Sequence, residues 1–336
     1  DNKYVSAGLS KQPQRVLVLL LETEMDKKNE RKGRGKDIED IVRNISKTVD
    51  FEIFPVKKEA LATEASASEV LRLLPEVSYT QIAVTFDNDN LLKALNANLT
   101  ARWKSDTQLD GHAFVALYGD IESLTKRANY NSPHLTIIPL KHEKDDAAAW
   151  AVSYAVLNAV EAADPARPYT NVIIPSLRTQ ASESFRFEER NKLLSAGIST
   201  WRKQGEDIIW DRLVTTYTKS DSGAADSSFR DLNTMQTLSY IRYDYQQGLL
   251  KDFPRHKLAI DNYPYQGDVV TPKVLKMWLI ARNNKHHDAG IVQDPEGNFS
   301  KALQVEVNSN QQVCVMSRPH LMGQYYQTIM KLAFQK

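Results

Sequence analysis

Apolar positions along this chain follow one rhythm up to about residue 177 and another after it. In the first part, short continuous apolar runs alternate with stretches of helical spacing. Residues 16–21 read VLVLLL, the pattern of a strand buried on both faces. Residues 51–56, stopped by Pro55, and residues 81–86 (QIAVTF), 112–118, 134–140 and 171–175 read as further strands. Between them, residues 64–74, 91–103, 120–129 and 146–162 predict helices, with Asp89 or Asn90 as N-cap of the second. Repeated strand–helix–strand order predicts a mainly parallel sheet covered by helices, an α/β fold. Such a core hosts many functions, so it decides none by itself.

Beyond residue 177 the pattern elaborates toward α+β. Residues 187–196 look helical, and residues 199–202 and 207–218, joined by Gln204-Gly205-Glu206, predict a hairpin. Residues 220–228 are rich in Ser, Asp, Gly and Ala and predict a mobile loop. Leu232, Met235, Leu238, Ile241 and Tyr245 fall three or four apart on one helical stripe. That helix ends before Pro254 and the basic Arg255-His256-Lys257. A helix over 272–284 carries Pro272 in its first turn. From residue 301 strict alternation appears: Leu303, Val305 and Val307, then Val313 and Val315 across a polar turn at 308–312. Tyr326, Thr328, Met330, Leu332 and Phe334 alternate to the end. A terminal strand of this kind has to pair with a sheet edge, in its own subunit or in another. The fold class expected is therefore α/β with added β-hairpins and extended terminal strand arms.

Composition narrows the function classes. At 336 residues, 42% apolar and 25% charged, the chain suits two domains or one elaborated one, at about 100–200 residues each. Lys and Arg number 43 against 42 Asp and Glu, without the basic excess of a nucleic-acid binder. Cys314 is the single cysteine, which excludes an internal disulfide or a multi-cysteine metal site and suits a reducing cytoplasm. Its place in an apolar alternating strand predicts a packed side chain. The longest apolar run has six residues, far below the about 20 that cross a bilayer. The first residue is Asp1 rather than Met, so trimming or processing is expected.

Candidate chemistry is sparse. Gly33-Arg34-Gly35-Lys36 lacks the spacing of a phosphate-binding loop, and residues 26–37 read as a solvated loop. His286-His287-Asp288 lacks the i, i+4 spacing of helix-borne metal ligands and reads as a polar helix end. Asp87 and Asp89 follow a strand end, where α/β ligands often bind, but turn and cap formation explain them equally well. No G-x-S-x-G elbow occurs, and His256 lies between two like charges. An enzyme would have to gather Asp87, Asp89 or His256 in one pocket. No cofactor, metal or catalytic residue is expected.

Several segments resemble one family in the same order. Residues 232–259, LNTMQTLSYIRYDYQQGLLKDFPRHKLA, are similar to a helix of the form DLNTM.T..Y.RYD leading into FPRHKLA in contractile tail sheath proteins, particularly those of Mu-like phages. Leu232, Tyr240, Arg242, Tyr243, Pro254, Arg255 and His256 carry that signature. Residues 79–95 resemble the family's YD.IV.P..D...L..L, and 111–140 its next strand–helix–strand. DPARPYTNVIIPSL at 164–177 resembles DPARPLNT..LPG, and 189–200 an E.LL.NGI segment. Residues 303–334 keep its hairpin, Arg-Pro-His-Leu corner and final strand. The resemblance read from these motifs runs from Tyr79 to Lys336, and residues 23–78 carry no motif of the family that could be aligned with them.

The resemblance implies stacked six-membered rings around a tail tube, with subunits joined by extended arms and a lattice that shortens to drive the tube through a cell envelope. Val305, Val307, Tyr326, Thr328, Met330, Leu332 and Phe334 would pair between subunits. Implied partners are neighbouring copies, the tail tube protein, and baseplate and tail terminator proteins. Nucleic acid is not contacted, and the membrane is acted on only indirectly. The place would be the virion tail, assembled in the bacterial host cytoplasm. The implied organisation is an N-terminal arm at 1–14, a first α/β portion at 15–105 with a short variable region at 23–78, a sheath core at 106–300, and a C-terminal hairpin and strand arm at 301–336. A bacteriocin-type or other contractile injection sheath, a baseplate protein with a related core, and a soluble α/β enzyme are the rival readings.

Overall fold

The computed structural model describes Tyr4 and residues 7–25, 34–175, 177–264 and 267–333. The chain divides into two compact units. One comprises Pro13–Asp164 and Tyr169–Met235, the other Asp1–Gln12, Pro165–Pro168 and Gln236–Lys336; we call them the α/β unit and the helical unit.

The α/β unit is built on strands β1 (Arg15–Leu21), β2 (Asp50–Val56), β3 (Gln81–Val84), β4 (His112–Tyr118) and β5 (Leu135–Leu140). They form one sheet in the order β2-β1-β3-β4-β5 with every pairing parallel. Val16 to Leu20 are fully buried, each contributing about 1.5–3 kcal/mol of apolar burial. Helices α1 (Arg34–Ile45), α2 (Glu64–Arg72), α3 (Asp89–Arg102), α4 (Ile121–Arg127) and α5 (Ala147–Glu161) connect or cover the strands. Helix α5 is buried from Trp150 to Ala159. An all-round apolar helix has to be covered on every side, and α5 packs on β1, β3, β4 and α1.

The sheet's two edges are handled differently. Along β5, Ser199 N–H donates to Ile137 C=O, Thr216 N–H to Leu135 C=O and Trp201 Nε1 to Pro139 C=O. The outer edge of β2 carries Pro55, which lacks a donor and blunts further pairing.

Several local expectations need correction. The N-cap of α3 is Asn88, whose side chain accepts from Leu91 N–H; Asn90 instead donates to the carbonyls of Leu61 and Ala62. Residues 34–37 are not a solvated loop: they open α1, whose Ile38 and Val42 are buried, and Arg34 pairs with Asp146. Residues 26–33 lie outside the described residues. The stretch 23–78 supplies β2, α1 and α2 to the core.

Helix α6 (Phe187–Ser195) precedes a hairpin of β6 (Thr200–Gln204) and β7 (Asp207–Arg212). Gly205 opens its turn at φ +62, a conformation natural to glycine. Residues 171–175 do not form a regular strand: they meet β7 in one antiparallel bridge, Ile173 to Ile209, with Asn171 at a left-handed φ of +58. Residues 220–228 form a hydrogen-bonded turn, with Ser220 N–H bonded to Ala224 C=O and Tyr217 Oη to Asp226. Trp150, Trp201, Phe185, Tyr154, Trp210 and Tyr169 make a continuous aromatic seam with centroid spacings of 4.8–6.3 Å.

The helical unit contains most of α7 (Leu232–Asp252), then β8 (Lys257–Leu258), β9 (Val269–Val270), α8 (Pro272–Asp288), β10 (Val292–Gln293), α9 (Asn298–Ala302), β11 (Gln304–Val307), β12 (Val313–Met316) and β13 (His320–Leu321). The apolar stripe of α7 is only part of its buried surface: Leu238 is half-exposed, whereas Tyr240, Thr237 and Asp244 are buried. At the α7–α8 crossing, a Cβ on Gly248 would sit 2.7 Å from the Trp278 ring, so only glycine permits this approach. Helix α8 runs four residues past the expected end, and its His286 is fully buried, not part of a polar end.

Replacing the fully buried Phe114 of β4 by Ala should destabilise the α/β unit by about 3–5 kcal/mol, read from the urea midpoint of unfolding.

Candidate assembly surface

Asp244, one turn beyond Tyr240 on α7, has no solvent exposure. Four donors converge on it. Arg282 of α8 donates through Nε to Oδ2 at 2.6 Å and through Nη2 to Oδ1 at 2.5 Å. His286 Nε2 lies 2.8 Å from Oδ2, and Ser10 N–H lies 2.6 Å from Oδ1. Burial alone would push this carboxyl up; the bonds from His286, Arg282 and Ser10 outweigh it and hold it well below the usual carboxylate range. Arg282 Nη1 donates to Gly8 C=O at 2.9 Å, Tyr240 Oη to Ser10 C=O at 3.1 Å, and Gln12 Nε2 to Ser239 Oγ at 3.2 Å. Tyr4 and Leu9 join the core of Tyr240, Ile241, Tyr245 and Leu279. The first residues of the chain are thus rooted in the helical unit.

The C-terminal root is held in the same unit. Strand β13 pairs antiparallel with β10, matching Leu321 to Val292. Met322 N–H donates to Ile291 C=O at 3.1 Å, and Gln324 Nε2 to Ala166 C=O at 3.0 Å. Ala166 takes a left-handed φ of +66, and its N–H is bonded to Thr237 Oγ1. Beyond this root, residues 322–333 have no regular secondary structure. Tyr326 is half-buried and Thr328 is exposed; Ile329, Met330 and Leu332 are 89%, 76% and 90% exposed. Phe334 lies outside the described residues.

Strands β11 and β12 form a separate two-stranded sheet, pairing Val305 with Val315 and Val307 with Val313. One face of this hairpin is all valine, with Val307 41% and Val315 42% exposed. Cys314 alternates to the other face and is exposed, so it is not the packed side chain its alternation predicted; two strands alone provide nothing to pack it against.

The signature residues have mainly structural positions. Leu232 is fully buried at the start of α7, and Arg242 and Tyr243 are half-buried. Pro254 follows the helix end and is exposed, and Arg255 turns the chain at φ +61. His256 stands edge-on to Phe253 with centroids 5.4 Å apart. The carboxylates considered for chemistry are engaged elsewhere. Asp87 forms a two-pronged pair with Arg127, which also bonds Asp89 at 2.8 Å, and Tyr130 Oη donates to Asp89 at 2.8 Å. This network lies in the α/β unit, whereas His256 belongs to the helical unit. Among the described residues no metal-holding group of His, Cys, Asp and Glu occurs, and no helix is long and apolar enough to cross a membrane.

The α/β core is thus accompanied by a half-exposed hairpin and a C-terminal segment with exposed apolar side chains. Residues 60–215 match the phage tail sheath protein central domain, and residues 224–329 match the phage tail sheath C-terminal domain. The chain belongs to the phage tail sheath family. It is 34% identical over 248 residues to the Mu-like prophage FluMu tail sheath protein of Haemophilus influenzae, a match covering 71% of this chain and 50% of that protein. The chain thus spans about half the length of this curated relative.

The fold is similar to a sheath tail protein from Desulfitobacterium hafniense, with a TM-score of 0.55 over 77% of this chain and 56% of that one. It is also similar to a chain of the anti-feeding prophage baseplate (TM-score 0.63, 98% and 96% covered) and to the anti-feeding prophage helical sheath in its contracted state (0.61, 97% and 94%). Identity is 12% in each case, so these likenesses speak for the fold.

Sequence reasoning missed Asp244 and Arg282, and read His286 as part of a polar helix end rather than as a buried partner of Asp244. The one available signal was an Asp inside the apolar stripe of α7, and its partners lie 38 and 42 residues downstream. Replacing Asp244 by Ala should cost about 3–5 kcal/mol, since it leaves a buried cation unpaired. The pH dependence follows from the depressed carboxyl. An unfolded aspartate titrates near about 3.9, so the unfolded chain takes up the proton first as pH falls. This contribution should be whole above about pH 4 and lost as pH drops toward the lower folded value. Arg282, His286, Tyr240 and Tyr245 face the site from the same two helices. Asp244→Asn should flatten the acid limb of stability against pH, measured by chemical unfolding from pH 2 to 7.

Proposed function

We propose that this chain is the subunit of a contractile tail sheath. Copies stack as six-membered rings around a tail tube, stay joined through extended terminal arms, and rotate together so that the lattice shortens and drives the tube through a cell envelope. Its partners are neighbouring copies, the tail tube protein, and baseplate and tail terminator proteins; nucleic acid is not contacted, and the membrane is met only through the tube. The particle is a virion tail assembled in the host cytoplasm. In this reading residues 1–14 and 301–336 act as arms about the body.

The observation that carries the reading is the paired incompleteness of the C-terminal region. A two-stranded hairpin is marginal in water, and β11–β12 offers both outer edges and a half-exposed valine face. The same chain carries a strand-length segment with Ile329, Met330 and Leu332 exposed. Strand addition from a neighbour satisfies both, at about 0.5–1.5 kcal/mol net per backbone hydrogen bond. Val305, Val307, Tyr326, Thr328, Met330, Leu332 and Phe334 are the residues assigned to this pairing. A joint made of strand ladders holds while the loops beside it bend.

Electron microscopy of the purified chain at high concentration should show tubes or six-fold rings. Deleting residues 325–336 should leave a monomer on size exclusion with no tubes; normal tubes from the truncated chain would overturn the strand-exchange reading.

A further inference from the structure

The two terminal segments are rooted at opposite ends of the sequence yet in the same unit, and one unbroken line of hydrogen bonds joins their roots. Ser10 N–H donates to Asp244 Oδ1 at 2.6 Å. Asp244 Oδ2 accepts from His286 Nε2 at 2.8 Å. His286 C=O accepts from Ile291 N–H at 2.9 Å, and Ile291 C=O accepts from Met322 N–H at 3.1 Å. His286 is fully buried, packed against Tyr245 and edge-on to Tyr240 with centroids 5.4 and 6.3 Å away.

The covalent route between the same points is very different. From Ser10 to Met322 it runs through every strand of the α/β unit. Tension between the terminal segments therefore has two routes, one through the parallel sheet and one through four hydrogen bonds inside the helical unit.

We infer that Asp244 and His286 are positioning residues that tie the roots of the N- and C-terminal segments together, so that load from one neighbouring subunit passes to another without being drawn through the α/β unit. This rests on the sheath reading for its purpose, but the tie is a property of the single chain. Side bonds strengthen both ends. Arg282 and Tyr240 grip the carbonyls of Gly8 and Ser10. Gln293 Nε2 donates to Leu321 C=O at 3.1 Å, and Gln324 Nε2 to Ala166 C=O at 3.0 Å. The first and last links are backbone N–H groups of the segments themselves. The middle link, Asp244 to His286, is a side-chain pair that substitution can remove while Arg282 still holds Asp244 to α8.

Native-state hydrogen exchange on the full monomeric chain tests this. In the wild type, the amides of Ser10 and Met322 should open with the same free energy and denaturant dependence, as members of one cooperative unit. In His286→Leu both should exchange about ten- to a hundredfold faster, as expected for loss of a hydrogen bond to a charged group. His286→Gln, which keeps a donor, should restore part of the protection. Amides at 238–250 of α7 and in β1, β3 and β4 should keep their wild-type rates.

If Ser10 opens independently of Met322 in the wild type, the tie is overturned whatever the variants do. It is also overturned if His286→Leu affects one root alone. Because exchange is read on monomers, this result is separate from tube formation. A coupled pair of roots in a chain that never forms tubes would sink the sheath reading and leave the tie standing.

Discussion

The helical unit depends on a single buried anion. A carboxylate taken out of water costs several kcal/mol, repaid only when its lone pairs are filled with good geometry. Asp244 meets that condition with four bonds from three residues of widely separated sequence. Those partners fix more than the charge. Arg282 and His286 set the register of α8 against α7, and the Ser10 amide holds the start of the chain there. The Gly248–Trp278 approach lets the two helices come close enough for these bonds. Removing Arg282 leaves the buried carboxylate without its charged partner, so the arrangement favours one packing over its near alternatives.

The α/β unit obeys a different constraint. Parallel strands that are apolar on both sides need cover on both faces, and the five-stranded sheet has it from helices, including the almost wholly buried α5. The edge beyond β5 is closed by residues 198–201 and the aromatic seam behind them, while the β2 edge is blunted by Pro55. Asp87 and Asp89, placed at a strand end where α/β enzymes often act, are spent on Arg127 and Tyr130. They brace the start of α3 against α4 and carry no reactive arrangement.

The terminal elements combine firm roots with unsatisfied ends. Residues 8–12 and 320–324 are held by backbone and side-chain bonds in the helical unit. Val307 and Val315 on the valine face of β11–β12 and most of the segment after Gln324 remain exposed, while Val305 packs on the core of the helical unit. Ala166 shows the division in miniature: its left-handed backbone costs about 1–2 kcal/mol for a residue with a Cβ, and both its polar groups are used, one on α7 and one on the C-terminal root.

The sequence by itself determined the elements whose signals are local. Periodicity placed β1, β3, β4, β5 and α5 close to their observed bounds, and alternation from Leu303 onward announced the hairpin, whereas the strand expected from Tyr326 onward has no regular structure among the described residues. Ordered segments from Tyr79 onward were enough to indicate the family. What only the tertiary structure decided were relations between distant residues. Asp244 drew no notice beside the apolar stripe of α7; only the fold brings Arg282, His286 and Ser10 to it. Cys314 looked buried by its alternation, and nothing local said that its face of the hairpin is left exposed. Asn171 looked extended until its left-handed turn broke the run. Periodicity reports which face of an element is apolar, because that follows from backbone geometry; what meets that face, and which charge answers a buried charge, depends on how the chain closes on itself.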